Sequence, residues 1–205
     1  MKRGFFNDNF GLTEAVLTGK KTMMRSICKY DRPNENYEIV FPVFEPEEYD
    51  NDGNITSKLD GAFGWRDKEG NFTGWNIPKY RIGEIVAVAQ CYHSFYNDEC
   101  DPRMFPSGAG WLNKMFVKPE LMPHQIQITD IFIQKLQDIS DEDCLKEGIN
   151  EATRDFPWYW YEYNNKKFIF NEPRQAFASL IDKVYVNGTW EENLYVFGYE
   201  FKLIK

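Results

Sequence analysis

Three cations stand close together near the start of the chain, in the run Gly19-Lys20-Lys21-Thr22-Met23-Met24-Arg25. If Thr22 to Ile27 is extended, alternate residues face opposite ways, so Lys21 and Arg25 share one face with Met23 between them. A lysine in a partly buried pocket loses part of its preference for the charged form and becomes a base or a nucleophile. An arginine beside it can fork onto a phosphate or carboxylate. Thr22 would offer a hydroxyl on the other face. The same residues also fit a solvated basic edge strand, and Lys20 and Lys21 fit cations that offset the dipole of a preceding helix end.

Other chemistry has less support. The two histidines, His93 and His124, lie in or beside loops and have no partner spacing for a nucleophile. Cys28, Cys91, Cys100 and Cys144 form no CxxC pair and no zinc spacing. There is no Walker loop and no GxGxxG. The expectation is a protein with no metal and no cofactor, its thiols reduced.

Charge narrows the partner. The chain of 205 residues carries a net charge of -8, which argues against neutralising long duplex DNA. Yet residues 1–30 hold six basic groups against Asp8 and Glu14. A local basic spot on an acidic body suits one small anionic ligand. No apolar run reaches the roughly 20 residues of a membrane span, and the N-terminus lacks the apolar core of a signal peptide. The expected setting is the cytoplasm, with no membrane partner.

The elements that must position the cations are legible in outline. Leu12 to Thr18 reads as a short helix ended by Gly19, and Thr22 to Ile27 as the strand that follows. Tyr37 to Val43 and Ile85 to Tyr92 read as strands, and Ala62 to Trp75 as a hairpin around Glu69-Gly70-Asn71. Residues 45–60 read as an exposed acidic loop with a turn at Asp52-Gly53. In Ile126 to Ile133 the apolar period breaks after Ile128, which predicts a bulge. Ser140-Asp141-Glu142-Asp143 resembles a capping box and opens a short helix that ends at Gly148. Asn171-Glu172-Pro173 starts the clearest helix, with Ala176, Phe177, Leu180, Ile181, Val184 and Tyr185 on one face. Tyr195 to Leu203 is a closing strand. With 42% hydrophobic and 17% aromatic residues the chain has ample core for one domain over 1–205.

Several stretches, in order from residue 17 to residue 203, together resemble the ASCH family of the PUA-like superfamily, in the version common in phage and prophage proteins. The basic run looks like that family's Gly-x-Lys-Thr-x-Thr-x-Arg-like signature. Tyr80 to Val86 is similar to its Tyr-x-x-Gly-Asp strand start, and Trp111 to Phe116 to its Trp-x-x-x-Met segment. The longest match runs from Ile128 through Asp143 to Glu147-Gly148-Ile149. Gly188 to Glu191 and Tyr195 to Phe201 resemble its closing strand.

The resemblance implies an α+β fold: a PUA-like, partly closed β-barrel with a few short flanking helices and a pocket beside the signature strand. Related domains bind RNA or modified bases, and one branch hydrolyses N4-acetylcytidine with a Lys and a Thr from the signature strand and a Glu from a later strand. Lys21 matches the Lys and is the candidate catalytic residue. Met24 stands where the Thr would be, and Gln90 where the phage-type relatives carry an acid. A thioether and an amide cannot serve as a general base. The expected function is therefore a binding module for RNA, a nucleotide or a modified nucleobase. Its candidate ligand contacts are Lys20, Lys21, Thr22, Arg25 and Gln90, with Trp65, Tyr92, Trp111 and Lys114 nearby for stacking or charge. The alternatives are an N4-acetylcytidine-type amidohydrolase using Lys21, and a phage-derived assembly protein that meets another protein through Phe156 to Tyr161.

Overall fold

The computed structural model describes residues 1–42, 47–49, 55–58, 61–96, 108–155, 158–163 and 168–204. The central element is a five-stranded mixed sheet. Its strands are β1 (Lys2–Gly4), β2 (Met23–Ile27), β7 (Ile85–Val88), β8 (Gln125–Lys135) and β12 (Tyr195–Leu203), in the order β1-β7-β8-β12-β2. β1 runs parallel to β7, and every other neighbour is antiparallel. Two small ladders stand apart: β3 (Glu38–Val40) with β6 (Gly64–Arg66), and β4 (Glu47–Tyr49) with β5 (Ile55–Lys58). A three-stranded sheet joins β9 (Asn150–Asp155), β10 (Trp158–Tyr163) and β11 (Phe168–Phe170). The helices are α1 (Leu12–Leu17), α2 (Asp141–Lys146), α3 (Pro173–Val184) and α4 (Thr189–Glu192).

The architecture is α+β, but the expected partly closed barrel is replaced by an open sheet. β1 and β2 end it on opposite sides and do not pair with each other among the described residues. Helical segments cap β2 instead. Thr22 N–H donates to Lys146 O at the end of α2, and Lys21 N–H to Ala15 O in α1. Cys28 N–H reaches Tyr195 O and Phe201 N–H reaches Thr22 O, so the even residues of β2 face β12. The odd ones turn outward, where the Tyr185 hydroxyl donates to Arg25 O at 2.9 Å. On that outward edge the Arg25 carbonyl is already taken by a side chain, which leaves one acceptor fewer for a closing strand.

Local sequence accounts for the parts that hold β2. Gly19, at φ 73°, turns the chain out of α1. Ser140 Oγ accepts from Asp143 N–H and opens α2 as the capping box predicts. The bulge also lies where the apolar period breaks. Glu200 pairs with Asp130 but Phe201 pairs with Ile128, which leaves Thr129 as the extra residue. In α3, Ala176, Phe177, Leu180 and Ile181 are buried and Val184 is half-buried, whereas Tyr185, beyond the last turn, leaves part of its residue surface exposed while its hydroxyl turns inward to Arg25 O. Pro173 takes the first helical position, but Glu172 rather than Asn171 is the cap. The core between sheet and helices includes Val16, Phe63, Val86, Ile128, Tyr163 and Phe177, all nearly inaccessible.

Other expectations shorten or change. Of the strand expected over Tyr37 to Val43, the described residues form only β3, and Val43 lies outside them; that over Ile85 to Tyr92 stops at Val88, with a 3-10 turn over Tyr92–Ser94. The acidic stretch at 45–60 carries β4 and β5, while Asp52-Gly53 lies outside the described residues. In the aromatic run, Trp158 to Tyr161 belong to β10, and Phe156 and Pro157 lie outside the described residues. No described helix is long and apolar enough to cross a membrane.

Gly198 ties the sheet to the cations. It pairs with Arg25 on one side and Phe132 on the other. A Cβ there would stand 2.3 Å from Phe132 Cζ, so the ring occupies the space a side chain would need. Gly198→Ala is expected to lower stability by roughly 1–3 kcal/mol, the usual cost of overpacking. In a Phe132→Ala background the same change should cost much less, which a double-mutant cycle by urea unfolding measures.

Candidate functional site

Three charged side chains meet at the outward side of β2. Lys21 Nζ donates to Glu147 Oε2 at 2.5 Å and to Glu147 O at 2.7 Å. Arg25 Nη1 donates to Glu147 Oε1 at 2.6 Å. One carboxylate thus binds one cation with each oxygen. Relative exposure is 4% for Lys21, 8% for Arg25 and 4% for Glu147, so all three are out of bulk water. Arg25 is held further by Asp143 Oδ2 at 3.4 Å and by Met23 Sδ at 3.1 Å. Its guanidinium also lies 5.8 Å from the Phe132 ring and 5.7 Å from the Phe177 ring.

The chain reaches this arrangement through two turns. Lys21 follows the left-handed Gly19, two residues before β2. Glu147 caps the C-terminal end of α2, and Gly148, at φ 100°, turns the chain away behind it. A Cβ on Gly148 would sit 3.5 Å from Lys21 Cδ and 3.4 Å from Leu12 Cδ2, so the lysine stem packs closely against this turn.

The cluster forms part of the wall of a cavity of about 560 Å³. Its lining includes Met24, Ser26 and Tyr199 from one face of the sheet, Lys21 and Arg25 from the other, Glu147 from the end of α2 and Phe177 from α3, so it passes around the outer edge of β2. Phe5, Phe6, Leu12, Leu180, Ile181, Val184, Tyr80 and Tyr185 add apolar and ring surface. At another part of the wall Lys114 Nζ donates to Phe6 O and pairs with Asp8 Oδ2 at 2.9 Å. The phenols are committed to the backbone: Tyr185 to Arg25 O, Tyr80 to Arg3 O at 3.1 Å, while Tyr199 Oη accepts from Lys79 N–H at 2.8 Å.

Burial sets the electrostatics. It pushes the Lys21 amine below its ordinary value of 10.5, against the pull of the Glu147 charge, and Arg25 pushes the same way as burial. Burial, then the Glu147 charge, moves the Tyr185 phenol up to about 12. Tyr80 also rises to about 12 through burial and Glu84. Both phenols therefore remain protonated at neutral pH.

Of the residues singled out in the sequence, Lys21, Arg25 and Lys114 line this cavity. Lys20 is exposed and Thr22 is half-buried, its carbonyl held by Phe201 N–H, and neither lines it. Gln90 is buried elsewhere, with Oε1 2.7 Å from His124 Nδ1. Trp65 is core: its ring stands 4.7 Å from that of Tyr195, and Nε1 donates to Tyr30 O. Tyr92 and Trp111 pack in a second cluster with Val117 and Met122. Lys21, Arg25 and Gln90 therefore do not converge, and Gln90, Trp65, Tyr92 and Trp111 give way to Glu147, Tyr80, Tyr185 and Tyr199 as the groups beside the cations. Glu147 had a signal. An acid at the C-terminal end of a helix opposes the helix dipole, so it calls for a cation from elsewhere.

Comparison with protein-family models, with curated proteins and with solved structures gives no match to this chain.

Removing one member of the cluster leaves an uncompensated buried charge. Glu147→Gln is expected to lower stability by about 3–5 kcal/mol at neutral pH, read from urea unfolding. The pH dependence isolates Lys21. Its folded pKa is lowered, so the unfolded chain binds more protons in the window below 10.5. Stability therefore rises with pH across that window. Lys21→Met should remove this rise, so the unfolding midpoint of the unaltered protein relative to the variant should climb from neutral pH towards 10.5. A constant difference would contradict the assignment.

Proposed function

We propose that the chain is a cytoplasmic, ASCH-like binding domain of the PUA-like type. It takes a nucleoside-sized ligand into the cavity at the edge of β2: a modified nucleobase or nucleotide, free or splayed out of an RNA strand. The observation that carries this reading is the convergence of Lys21, Arg25 and Glu147 on one wall of a cavity of about 560 Å³. That volume falls in the range of small-molecule sites, roughly 300–1,000 Å³. Rings from Tyr80, Tyr185, Tyr199 and Phe177 provide planar surface, and four cations against two carboxylates leave the lining modestly basic. A duplex cannot enter such a space, but a single base can. The ordered resemblance to the ASCH signature supports the same assignment.

One observation favours hydrolysis as a second reading. Neither Met24 nor Gln90 offers a carboxylate, but Glu147 stands 2.5 Å from Lys21 Nζ. A Lys–Glu pair in a cavity can move a proton. On this reading water adds to the acetyl carbon as the Lys21–Glu147 pair takes its proton, the C–N bond breaks, and the pair returns the proton to the leaving nitrogen, giving cytidine and acetic acid.

Titration calorimetry with cytidine, cytidine monophosphate and N4-acetylcytidine tests binding. At least one should bind, and Val184→Trp, which fills the cavity from a half-buried position, should weaken it by tenfold or more, about 1.4 kcal/mol. Absence of heat from all three removes the binding reading. Chromatography of the N4-acetylcytidine mixture tests the second: cytidine should accumulate with the unaltered protein and not with Lys21→Met.

A further inference from the structure

Binding and hydrolysis both use Lys21 as a charge or a base, yet its surroundings are also those that make an amine a nucleophile. The amine sits in the wall of a cavity rather than in water. A carboxylate lies at 2.5 Å to accept its proton. Arg25, on the other oxygen of that carboxylate, holds it in place at 2.6 Å and repels a second positive charge. The stem lies close against the Gly148 turn, where a Cβ would stand 3.5 Å from Lys21 Cδ. Lys20, next in the chain, has none of this and is exposed.

We propose that Lys21 is an imine-forming lysine and that the cavity admits a small aldehyde, which it binds covalently. The ammonium of Lys21 passes a proton to Glu147. The neutral amine attacks the aldehyde carbon, a C–N bond forms, and the C=O pair moves to oxygen. A proton shift from nitrogen to oxygen gives the carbinolamine. Glu147 returns its proton to the hydroxyl, which leaves as water, and the C=N bond closes as an iminium. The net change is ammonium plus aldehyde to iminium plus water, with Glu147 restored. Arg25 stays charged throughout and keeps the carboxylate on Lys21. The step needs a cavity that admits a ligand, as the binding reading does, but not a nucleoside.

Reductive trapping tests it. The protein with Lys20→Arg, which makes the modified position unambiguous, is incubated with glyoxylate and cyanoborohydride at neutral pH, and its peptides are read by mass spectrometry. Lys21 should carry the carboxymethyl group on the order of ten times faster than exposed lysines such as Lys29 and Lys68. Labelling of Lys29 and Lys68 with Lys21 unmodified overturns the proposal. Prior addition of cytidine, if it binds, should slow labelling of Lys21 and leave Lys29 unchanged. Glu147→Gln, where circular dichroism shows it folded, should bring Lys21 down to the rate of Lys29, and an unchanged ratio overturns the role of Glu147. Trapping on Lys21 without any calorimetric signal from cytidine sustains this inference while the nucleoside reading fails. A cytidine signal without trapping does the reverse.

Discussion

The Glu147 carboxylate, shared between Lys21 and Arg25, is the interaction on which the rest of the molecule depends. Two cations cannot stay buried at the edge of a sheet without a counter-charge, because desolvating a lone ion costs several kcal/mol or more. Glu147 supplies that charge only if α2 docks with its C-terminal end against β2. Docking in turn needs the Ser140 cap to start the helix and Gly148 to turn the chain away. The same docking puts the end of α2 against the start of β2, while the Tyr185 hydroxyl takes the Arg25 carbonyl on the outward edge of the strand.

The same carboxylate changes what the cavity is. Lys21 and Arg25 face a ligand as a largely neutralised pair, not as free cations. Recognition then falls to shape and ring surface. Tyr80, Tyr185 and Tyr199 use their hydroxyls on backbone groups, so their rings are fixed and a ligand meets flat faces and aliphatic walls. Such walls discriminate by contour, and a few buried polar groups discriminate by hydrogen bonding, where a mismatch leaves a group unpaired and is costly.

Much of this was legible in the sequence wherever a local rule applied. Gly19 after α1, the Ser140 cap, Gly148 after α2 and the extra Thr129 in β8 all follow from short-range patterns, and so does the shared face of Lys21 and Arg25. What was not legible depends on contacts distant in sequence. Glu147 lies 126 residues from Lys21, and nothing in the spacing joins them. Motif position alone points to Gln90, whose amide instead turns to His124. The ring of Trp65 suits stacking on a ligand, but the closing strand brings Tyr195 onto it and makes it core. β10 arises in a run whose aromatic residues give no period to separate a strand from a surface cluster, and its pairing with β9 and β11 has no such local signal.

The two cations are not equivalent, although spacing alone makes them look so. Arg25 is fixed from several directions: Glu147, Asp143, the Met23 thioether, two rings, and the Tyr185 hydroxyl on its own carbonyl. A guanidinium does not give up its proton in a protein, so all of this restraint goes into geometry. The Lys21 amine is held by Glu147 alone, through one carboxylate oxygen and one carbonyl. Its amine is the group whose charge burial disfavours, and it can change state without breaking the rest of the cluster. Arg25 therefore builds the wall, and Lys21 is the part of that wall able to do chemistry.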